Sequence, residues 1–514
     1  MRSRQPLRAL LAQKYRYRLV LQAIVIGAVA GLVSVAYRFA LSYGESICRF
    51  FFGWAQSPWR IVLLFAGLLC LGFVVGCMAK KEPMIKGSGI PQVEGQLLGY
   101  FDFSWWKVLV QKFIGGCLSI LGGLSLGREG PSILLGACCG KGAAQLQGRN
   151  RTEEKYLITC GACAGLAAAF NAPLAGVLFA LEEVHRNFNP KVLLSAMAAA
   201  ITADVVSKLF FGMGSTFAVA PVQLLPLSYY LLLIAFGAAL GLFGAFYNKT
   251  LLFSQRLYAK LSLSQPVKMM IPFAFAGLFG LFLPQVLGGG HGMIESLLHG
   301  QYTLGLIVIL LVGKFVFSMI SYGSGAPGGI FFPLLVLGSL SGALFGQLAI
   351  HLGVVPGAYA VNFMLLGMAG MFTAIVRAPL TGIILIVEMS GSLTQLLSLS
   401  LVSICAYLVA DLCRSKPVYE SLLENLHPSQ QSVAQPGERI FLDLPVHYGS
   451  FVSQKRIAQV HWPKDCLITN VERGRETLIP HGDLVLLPGD TLTFLCKSGD
   501  EAHLREQLAP ALEQ

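Results

Sequence analysis

Charged residues are scarce in this chain of 514 residues. Only 12% of its residues are Asp, Glu, Lys or Arg, whereas soluble globular domains contain about 25%. Hydrophobic residues make up 55%, and apolar runs long enough to span a bilayer recur from about residue 19 to about residue 412. The composition excludes a soluble globular protein and predicts a polytopic membrane protein whose surroundings are the lipid bilayer.

Signatures of metal binding, redox chemistry and nucleotide binding are also lacking. The twelve cysteines lie mostly in apolar segments, where a thiol behaves as a small hydrophobic group. The CxxC spacing at Cys160–Cys163 has no second CxxC and no nearby histidine, and His291 and His299 are interpreted as loop histidines. We expect no metal, no cofactor, no disulfide framework and no enzymatic activity.

The positive charge of the chain suits membrane topology better than nucleic-acid binding. The formal net charge is +12, and the first 18 residues contain six Lys or Arg and no acidic residue. Such a segment is expected on the cytoplasmic side of a membrane, and no cleavable signal peptide is evident. We expect a multi-pass protein of the cell (inner) membrane, with both the N-terminus and the C-terminal domain in the cytoplasm and no nucleic-acid partner.

The predicted domain organisation has four parts. A basic segment, 1–18, precedes a transmembrane domain, 19–425, and a polar linker, 426–437, leads to a small soluble domain, 438–514. The last part alternates short β-rich runs with turns. Because 450–462 has helical spacing, we expect an α+β domain there.

The transmembrane domain contains an internal duplication. Two pairs of segments match at nearly one spacing, namely 171–183 with 377–389 at a shift of 206 residues and 131–140 with 333–342 at a shift of 202. The sequence therefore predicts two related halves, about 20–210 and 225–415. Duplicated halves with broken helices are typical of transporters.

Three glycine-rich segments interrupt the apolar helices. They are "KGSGIPQVEG" at 86–95, "GREGP" at 127–131 and "GSGAPGGIFFP" at 323–333. Glycine permits a sharp turn and proline suits the first turn of a helix, so helices should begin inside the membrane. The unpaired amides and positive dipole end of such helices favour a small anion.

In these motifs, taken in order, the chain resembles the CLC family of chloride channels and proton-coupled chloride transporters. The resemblance covers about residues 20–425 and implies an all-α polytopic membrane fold with two inverted structural repeats and broken helices. It also implies a homodimer. The anion-binding residues that it implies are the hydroxyls of Ser88 and Tyr419 and the backbone amides of Arg128, Glu129, Gly130, Ile330, Phe331 and Phe332.

Two glutamates are implied to move protons. Glu129, in "GREGP", would block the outer anion position when ionised and swing away when protonated, although a structural ion pair with Arg128 is the alternative. Glu183 matches the internal proton glutamate of the family, although an acidic pair with Glu182 at a helix end is often only solvated surface. Glu94 and Lys112 are further intramembrane candidates whose pairing would lower the cost of burial.

These residues favour a chloride/proton antiporter and leave a passive chloride channel of the same fold open. Fluoride-exporting relatives typically diverge at the first-motif serine and lack the internal acid, whereas this chain has Ser88 and Glu183. The C-terminal pattern over 436–510 resembles the TrkA C-terminal (RCK-C) domain, which implies a regulatory module with an unidentified small ligand. A regulatory subunit of a cation transport system is the alternative from another class, but the chain has no carbonyl filter motif.

Overall fold

The structure is a computed structural model. It describes residues 4–149, 151–184, 190–214, 216–217, 223–426, 439–447, 450–463, 466–473 and 476–497, together with 504, 507, 508 and 512. The chain divides into two compact units, one of residues 1–147 with 154–423 and one of 424–514 with 148–153. Beyond residue 426, the predicted linker 426–437 lies outside the described residues.

The first unit is entirely helical in its described part, and eight of its described helices are long and apolar enough to cross a membrane. Its first eight helices are α1 (Arg4–Trp54), α2 (Pro58–Lys81), α3 (Ile90–Leu98), α4 (Trp105–Leu121), α5 (Glu129–Leu146), α6 (Arg151–Phe170), α7 (Pro173–Phe179) and α8 (Pro190–Phe211). The next eight are α9 (Tyr230–Lys260), α10 (Gln265–Phe282), α11 (His291–Leu298), α12 (Leu304–Gly323), α13 (Phe331–His351), α14 (Ala360–Val376), α15 (Pro379–Ser390) and α16 (Leu396–Leu412). A last helix, α17 (Val418–Leu426), follows.

The two sets of eight helices follow the same order of long and short elements. Helix α1 packs on α8, and its counterpart α9 packs on α16. The short helices α3 and α11 both start after a left-handed glycine, Gly89 with φ 95° and Gly290 with φ 99°. The duplication found in the sequence is therefore a duplication of structure, and the membrane unit has the predicted all-α fold with broken helices.

Glycines bring the backbones of neighbouring helices into contact in both halves. A Cβ atom at Gly136 or Gly161 would collide with the backbone of the other residue, where α5 crosses α6. The same relation holds between Gly338 and Gly367, where α13 crosses α14. Such close approach is how helices gain packing energy in lipid, and it explains why the matched segments of the duplication are glycine-rich.

The two halves also cap each other's helices. Glu182 accepts hydrogen bonds from the amides of Leu380 (3.3 Å) and Thr381 (2.9 Å) in the first turn of α15. Glu388 accepts them from Leu174 (3.1 Å) and Ala175 (2.8 Å) in the first turn of α7. This exchange is reciprocal, as two inverted repeats related by a pseudo-two-fold axis require, and it satisfies amides that have no intrahelical partner.

The second unit contains a four-stranded antiparallel sheet. Its strands are β1 (Arg439–Pro445), β2 (Cys466–Arg473), β3 (Glu476–Leu478) and β4 (Thr491–Lys497), in the order β1-β4-β2-β3. Leu444, Val471, Leu492 and Phe494 are among the residues of its separate apolar core. This core makes the tail a folded domain in its own right.

The helix predicted over 450–462 is wrong. The segment forms turns and a single 3₁₀ turn at Ile457–Gln459. The amide of Ile457 donates to the carbonyl of Leu484 (3.0 Å) and that of Ala458 to Gly482 (2.9 Å). Gln454 has φ 68°, which a continuing α-helix cannot accommodate. Pairing with a distant segment therefore replaces the local helical bonds.

An arginine–aspartate pair fixes a turn of this domain. Asp490 is buried and accepts two hydrogen bonds of 2.8 Å from the Arg473 guanidinium. It also accepts the amide of Leu487 at 2.8 Å. These hydrogen bonds raise the pKa of Arg473 above its usual value. The pair thereby joins the end of β2 to the turn before β4.

Candidate anion and proton site

The second and third glycine-rich segments meet in the membrane unit. Gly127 and Gly329 form an antiparallel bridge, with N–O distances of 2.6 Å and 2.8 Å. Helix α5 starts two residues after Gly127 and helix α13 two residues after Gly329. The bridge therefore places two buried helix N-termini side by side, where their first-turn amides favour negative charge.

The first glycine-rich segment joins the same junction. The amide of Gly328 donates to the carbonyl of Gly87 at 3.0 Å. Ser88 is buried, and a Cβ atom at Gly130 would lie 2.8 Å from the Ser88 Cβ. The three segments that the sequence singled out thus converge, and Ser88 lies against the first turn of α5.

Buried lysines hold the loops before the two short broken helices. Lys112 donates to the carbonyls of Ile85 (2.8 Å) and Gly87 (2.5 Å). Lys314 does the same in the second half, to Val286 (2.9 Å) and Gly288 (2.7 Å). Loop carbonyls rather than Glu94 therefore receive these Lys112 hydrogen bonds. Lys314 was not among the predicted residues, although it lies 202 residues after Lys112, at the spacing of the repeat.

Glu129 occupies the junction itself. Its side chain is 1% exposed, and one carboxylate oxygen lies 3.8 Å from the Arg128 Nε atom. The backbone amides of Arg128, Glu129 and Phe332 lie beside the carboxylate. A side chain at Gly127 would collide with Oε2. The carboxylate therefore folds back over the helix N-termini, in the position that a bound anion would also prefer.

An open cleft reaches Glu129 from one side. The residues lining it include Arg38, Ser42, Glu45, Arg128, His291 and Phe332. Arg38, which the sequence analysis missed, stacks on Phe211 at 3.8 Å. In the sequence, the only feature that distinguishes Arg38 is its position as a single arginine within an apolar run. Two guanidinium groups thus border the path to Glu129.

The interpretation of His291 as a loop histidine is wrong. It is the first residue of α11 and stacks on Phe217, with ring centroids 5.6 Å apart. Its Nε2 atom lies 3.4 Å from the Glu295 carboxylate. His299 follows the end of the same helix.

Tyr419 is connected to the start of α13 through aromatic contacts. It is fully buried, and its ring meets Phe179 edge-on at 6.2 Å, while Phe179 contacts Phe331 at 5.7 Å. Ile330, Phe331 and Phe332 form the buried start of α13. The Tyr419 hydroxyl has no hydrogen-bond partner in the described part of the chain. It therefore retains its full capacity to bind a ligand.

The adjacent glutamates after α7 have different environments. Both belong to a π-helical turn, Ala180–Val184. Glu182 faces α15, as described above, whereas Glu183 is 5% exposed and lies within electrostatic range of Tyr419. The pair is thus not a solvated helix end. One carboxylate caps a helix, and the other is buried towards the anion site.

Comparison with known proteins agrees with this geometry. The family model described as voltage gated chloride channel matches residues 71–411, and the TrkA-C domain model matches 442–509. The H(+)/Cl(−) exchange transporter ClcA of Vibrio campbellii is 32% identical over 79% of this chain and 89% of its own length. The transporter of that name from Klebsiella pneumoniae is 32% identical over 80% of this chain and 90% of its own length.

Solved structures show the same fold. A slow cyanobacterial Cl⁻/H⁺ antiporter superposes with a TM-score of 0.76 at 28% identity, over 80% of this chain and 99% of that one. A CLC-type fluoride/proton antiporter superposes with a TM-score of 0.64 at 24% identity, over 78% of this chain and 97% of that one. At this identity the similarity supports the fold alone. With the three converging motifs and the match over most of the membrane unit, the chain belongs to the voltage-gated chloride channel (CLC) family.

Proposed function

We propose that the protein exchanges chloride for protons across the membrane. The observation that supports this most is the position of the Glu129 carboxylate, beside backbone amides at two helix N-termini. Relatives that share about a third of their residues over most of their length are named H(+)/Cl(−) exchange transporters. Chloride would bind at the amides of α5 and α13 and at the hydroxyls of Ser88 and Tyr419.

Glu129 would act as gate and as proton carrier. An ionised carboxylate competes with chloride for the same amides, because both are anions. A protonated carboxyl is neutral and loses that attraction, so chloride can take its place. Each swing of the side chain thus links one proton to the movement of anions. Arg128 and Arg38 would attract chloride to the cleft.

Glu183 would receive the proton on the opposite side. It is buried in the membrane unit close to Tyr419, and buried ionisable side chains in membrane proteins commonly mark ion and proton paths. The neighbouring Glu182 carboxylate accepts hydrogen bonds from the first turn of α15, so it is not proposed as a proton carrier.

The membrane, the orientation and the oligomeric state are proposed from the sequence and from its family resemblance. By the positive-inside rule, the basic first 18 residues favour a cytoplasmic N-terminus, and the tail would lie on the same side if the last membrane helix ends there. The protein would reside in the cell (inner) membrane as a homodimer with one pathway in each subunit. The TrkA-C domain would regulate transport by binding an unidentified small ligand. No metal or cofactor enters the proposed cycle.

Simultaneous recording of chloride efflux and proton uptake in liposomes tests this function. We expect proton uptake during chloride efflux from the unmutated protein, and loss of that uptake in Glu183→Gln with chloride efflux retained. Glu295→Gln, whose side chain is 57% exposed, is the control and should leave coupling unchanged. Chloride efflux without proton movement in the unmutated protein would identify a passive channel instead. No chloride efflux would contradict anion transport altogether.

A further inference from the structure

Two further buried tyrosines lie beside the proposed central anion position. Tyr247 belongs to α9 and Tyr322 to α12, and both are fully or almost fully buried. Their hydroxyls lie within electrostatic range of the Tyr419 hydroxyl, and Tyr247 and Tyr322 also lie within range of each other. Three phenols from three helices therefore converge here, of which the family resemblance assigned only Tyr419.

Tyr322 lies next to Ser88. The side chain and the backbone of Ser88 are within hydrogen-bonding reach of its hydroxyl. The phenolic oxygen also lies against Gly87, where a Cβ atom would be 3.1 Å from it. The loop that presents Ser88 is thus in contact with Tyr322.

This contact orients the Ser88 hydroxyl. A serine hydroxyl has one proton to donate and two acceptor positions. The Ile90 amide donates to the Ser88 oxygen at 3.3 Å. With Tyr322 as donor to the second acceptor position, which is the arrangement proposed here, the only proton of Ser88 points at the anion. Tyr322 is therefore a positioning residue for Ser88.

Tyr247 differs from Tyr322 because its hydroxyl has no hydrogen-bond partner in the described ranges of the chain. Its ring packs against Phe315, with centroids 6.0 Å apart. The hydroxyls of Tyr247 and Tyr419 are both buried without a hydrogen-bond partner among the residues that the structure describes. Buried hydroxyls in native proteins are normally satisfied. Two unsatisfied donors within range of each other call for a shared acceptor, and a transported anion is such an acceptor.

We propose that Tyr247 and Tyr322 complete a shell of four hydroxyls with Ser88 and Tyr419, and that this shell selects chloride over large anions of diffuse charge. Tyr247 would donate to the anion directly, and Tyr322 would act through Ser88. Hydroxyl donors stabilise concentrated negative charge most, so chloride gains more from each of them than thiocyanate does. This inference rests on the proposed function, whose central position it refines.

Anion binding to tyrosine-to-phenylalanine variants tests the shell. Tyr247→Phe and Tyr322→Phe remove one oxygen each and keep the ring. Tyr258→Phe, also on α9, is the matched control, because its hydroxyl donates to the Ile320 carbonyl at 3.1 Å instead. Chloride and thiocyanate affinities of the purified full chain would be measured by calorimetry, and relative fluxes of the two anions in liposomes.

We expect Tyr247→Phe to lower chloride affinity at least about tenfold, the effect of losing one hydrogen bond to a charge, and Tyr322→Phe, which acts through Ser88, to lower it about fivefold. Thiocyanate affinity should change by less than about twofold, and the flux ratio should shift towards thiocyanate. The Tyr258 variant should behave as the unmutated protein. If a Phe variant is too unstable for calorimetry, the chloride-induced rise in Tm gives the same comparison.

Four results would overturn the shell. Chloride affinity could remain unchanged in both variants, chloride and thiocyanate affinities could fall by the same factor, or the Tyr258 control could lose as much chloride affinity as the two variants. Loss of proton movement with unchanged anion affinity would also overturn it and would place these tyrosines on the proton path. Failure of the unmutated protein to bind and carry chloride would instead contradict the proposed function itself.

Discussion

At the scale of single residues, the molecule separates groups that look alike in sequence. Glu182 and Glu183 are neighbours, yet one accepts hydrogen bonds from α15 and the other is buried near Tyr419. Glu129 is also buried, but it lies over backbone amides. A glutamate side chain is therefore a helix cap at one position, a candidate proton relay at the second and a candidate gate at the third, depending on which polar groups surround it.

Replacing Glu129 should uncouple the two ions. In Glu129→Gln the side chain stays neutral and cannot take up and release a proton. We expect proton uptake to fall to the background of empty liposomes while chloride efflux continues, and the efflux to lose its dependence on pH. Paired chloride and pH electrodes measure both quantities in one experiment.

Glu295→Gln provides the control for this variant. Glu295 is a carboxylate of the same unit whose side chain is 57% exposed, so its replacement should leave the ratio of the two fluxes unchanged. Proton uptake that persists in Glu129→Gln would contradict the role proposed for Glu129.

At the scale of elements, the site depends on helices that begin inside the protein. The Gly127–Gly329 bridge joins the starts of α5 and α13, and Lys112 and Lys314 hold the loops before α3 and α11. The starts of α7 and α15 are held by Glu388 and Glu182. Each broken helix thus has a specific partner for the polar groups that the break exposes.

Removing a reciprocal cap should destabilise the membrane unit. Glu182→Ala or Glu388→Ala leaves first-turn amides of α15 or α7 unpaired, at a cost of about 1–2 kcal/mol. We expect a lower Tm in detergent for each variant, whereas exposed Glu295→Ala should leave it unchanged. An unchanged Tm in both cap variants would mean that water replaces the carboxylates and that the caps do not hold the two halves together.

At the scale of the whole molecule, the chain consists of two units with separate apolar cores. The membrane unit contains every residue proposed to handle chloride or protons, and the tail contains its own sheet and apolar cluster. Stability of the tail and basal transport should therefore be separable. The Arg473–Asp490 pair offers a way to test this.

Asp490→Asn should loosen the tail and spare transport. The substitution removes the charge that Arg473 and the Leu487 amide share, at a cost of about 2–3 kcal/mol. We expect faster hydrogen exchange in β2 and β4 and faster proteolysis of the tail, with chloride/proton coupling intact. Asp483→Asn, at an exposed position, should change neither. Loss of basal coupling in Asp490→Asn would show that transport itself requires a folded tail.

The amino-acid sequence alone determined the class and the repeat of this protein. Its low charge and long apolar runs require a membrane, because such a chain cannot cover its surface with polar groups in water. The three glycine-rich segments and Glu129 were also predictable, since a glycine turn, a helix-starting proline and the side chain between them lie within a few residues of each other.

Only the tertiary structure decided which of the remaining polar residues belong together. The partners of Glu182 and Glu388 lie about 200 residues away, and Tyr247, Tyr322 and Ser88 come from three different elements. His291 and the segment 450–462 were misassigned because their contacts are with distant residues. Local spacing fixes where a helix starts, but a buried polar group takes its role from whatever the fold brings within hydrogen-bonding distance.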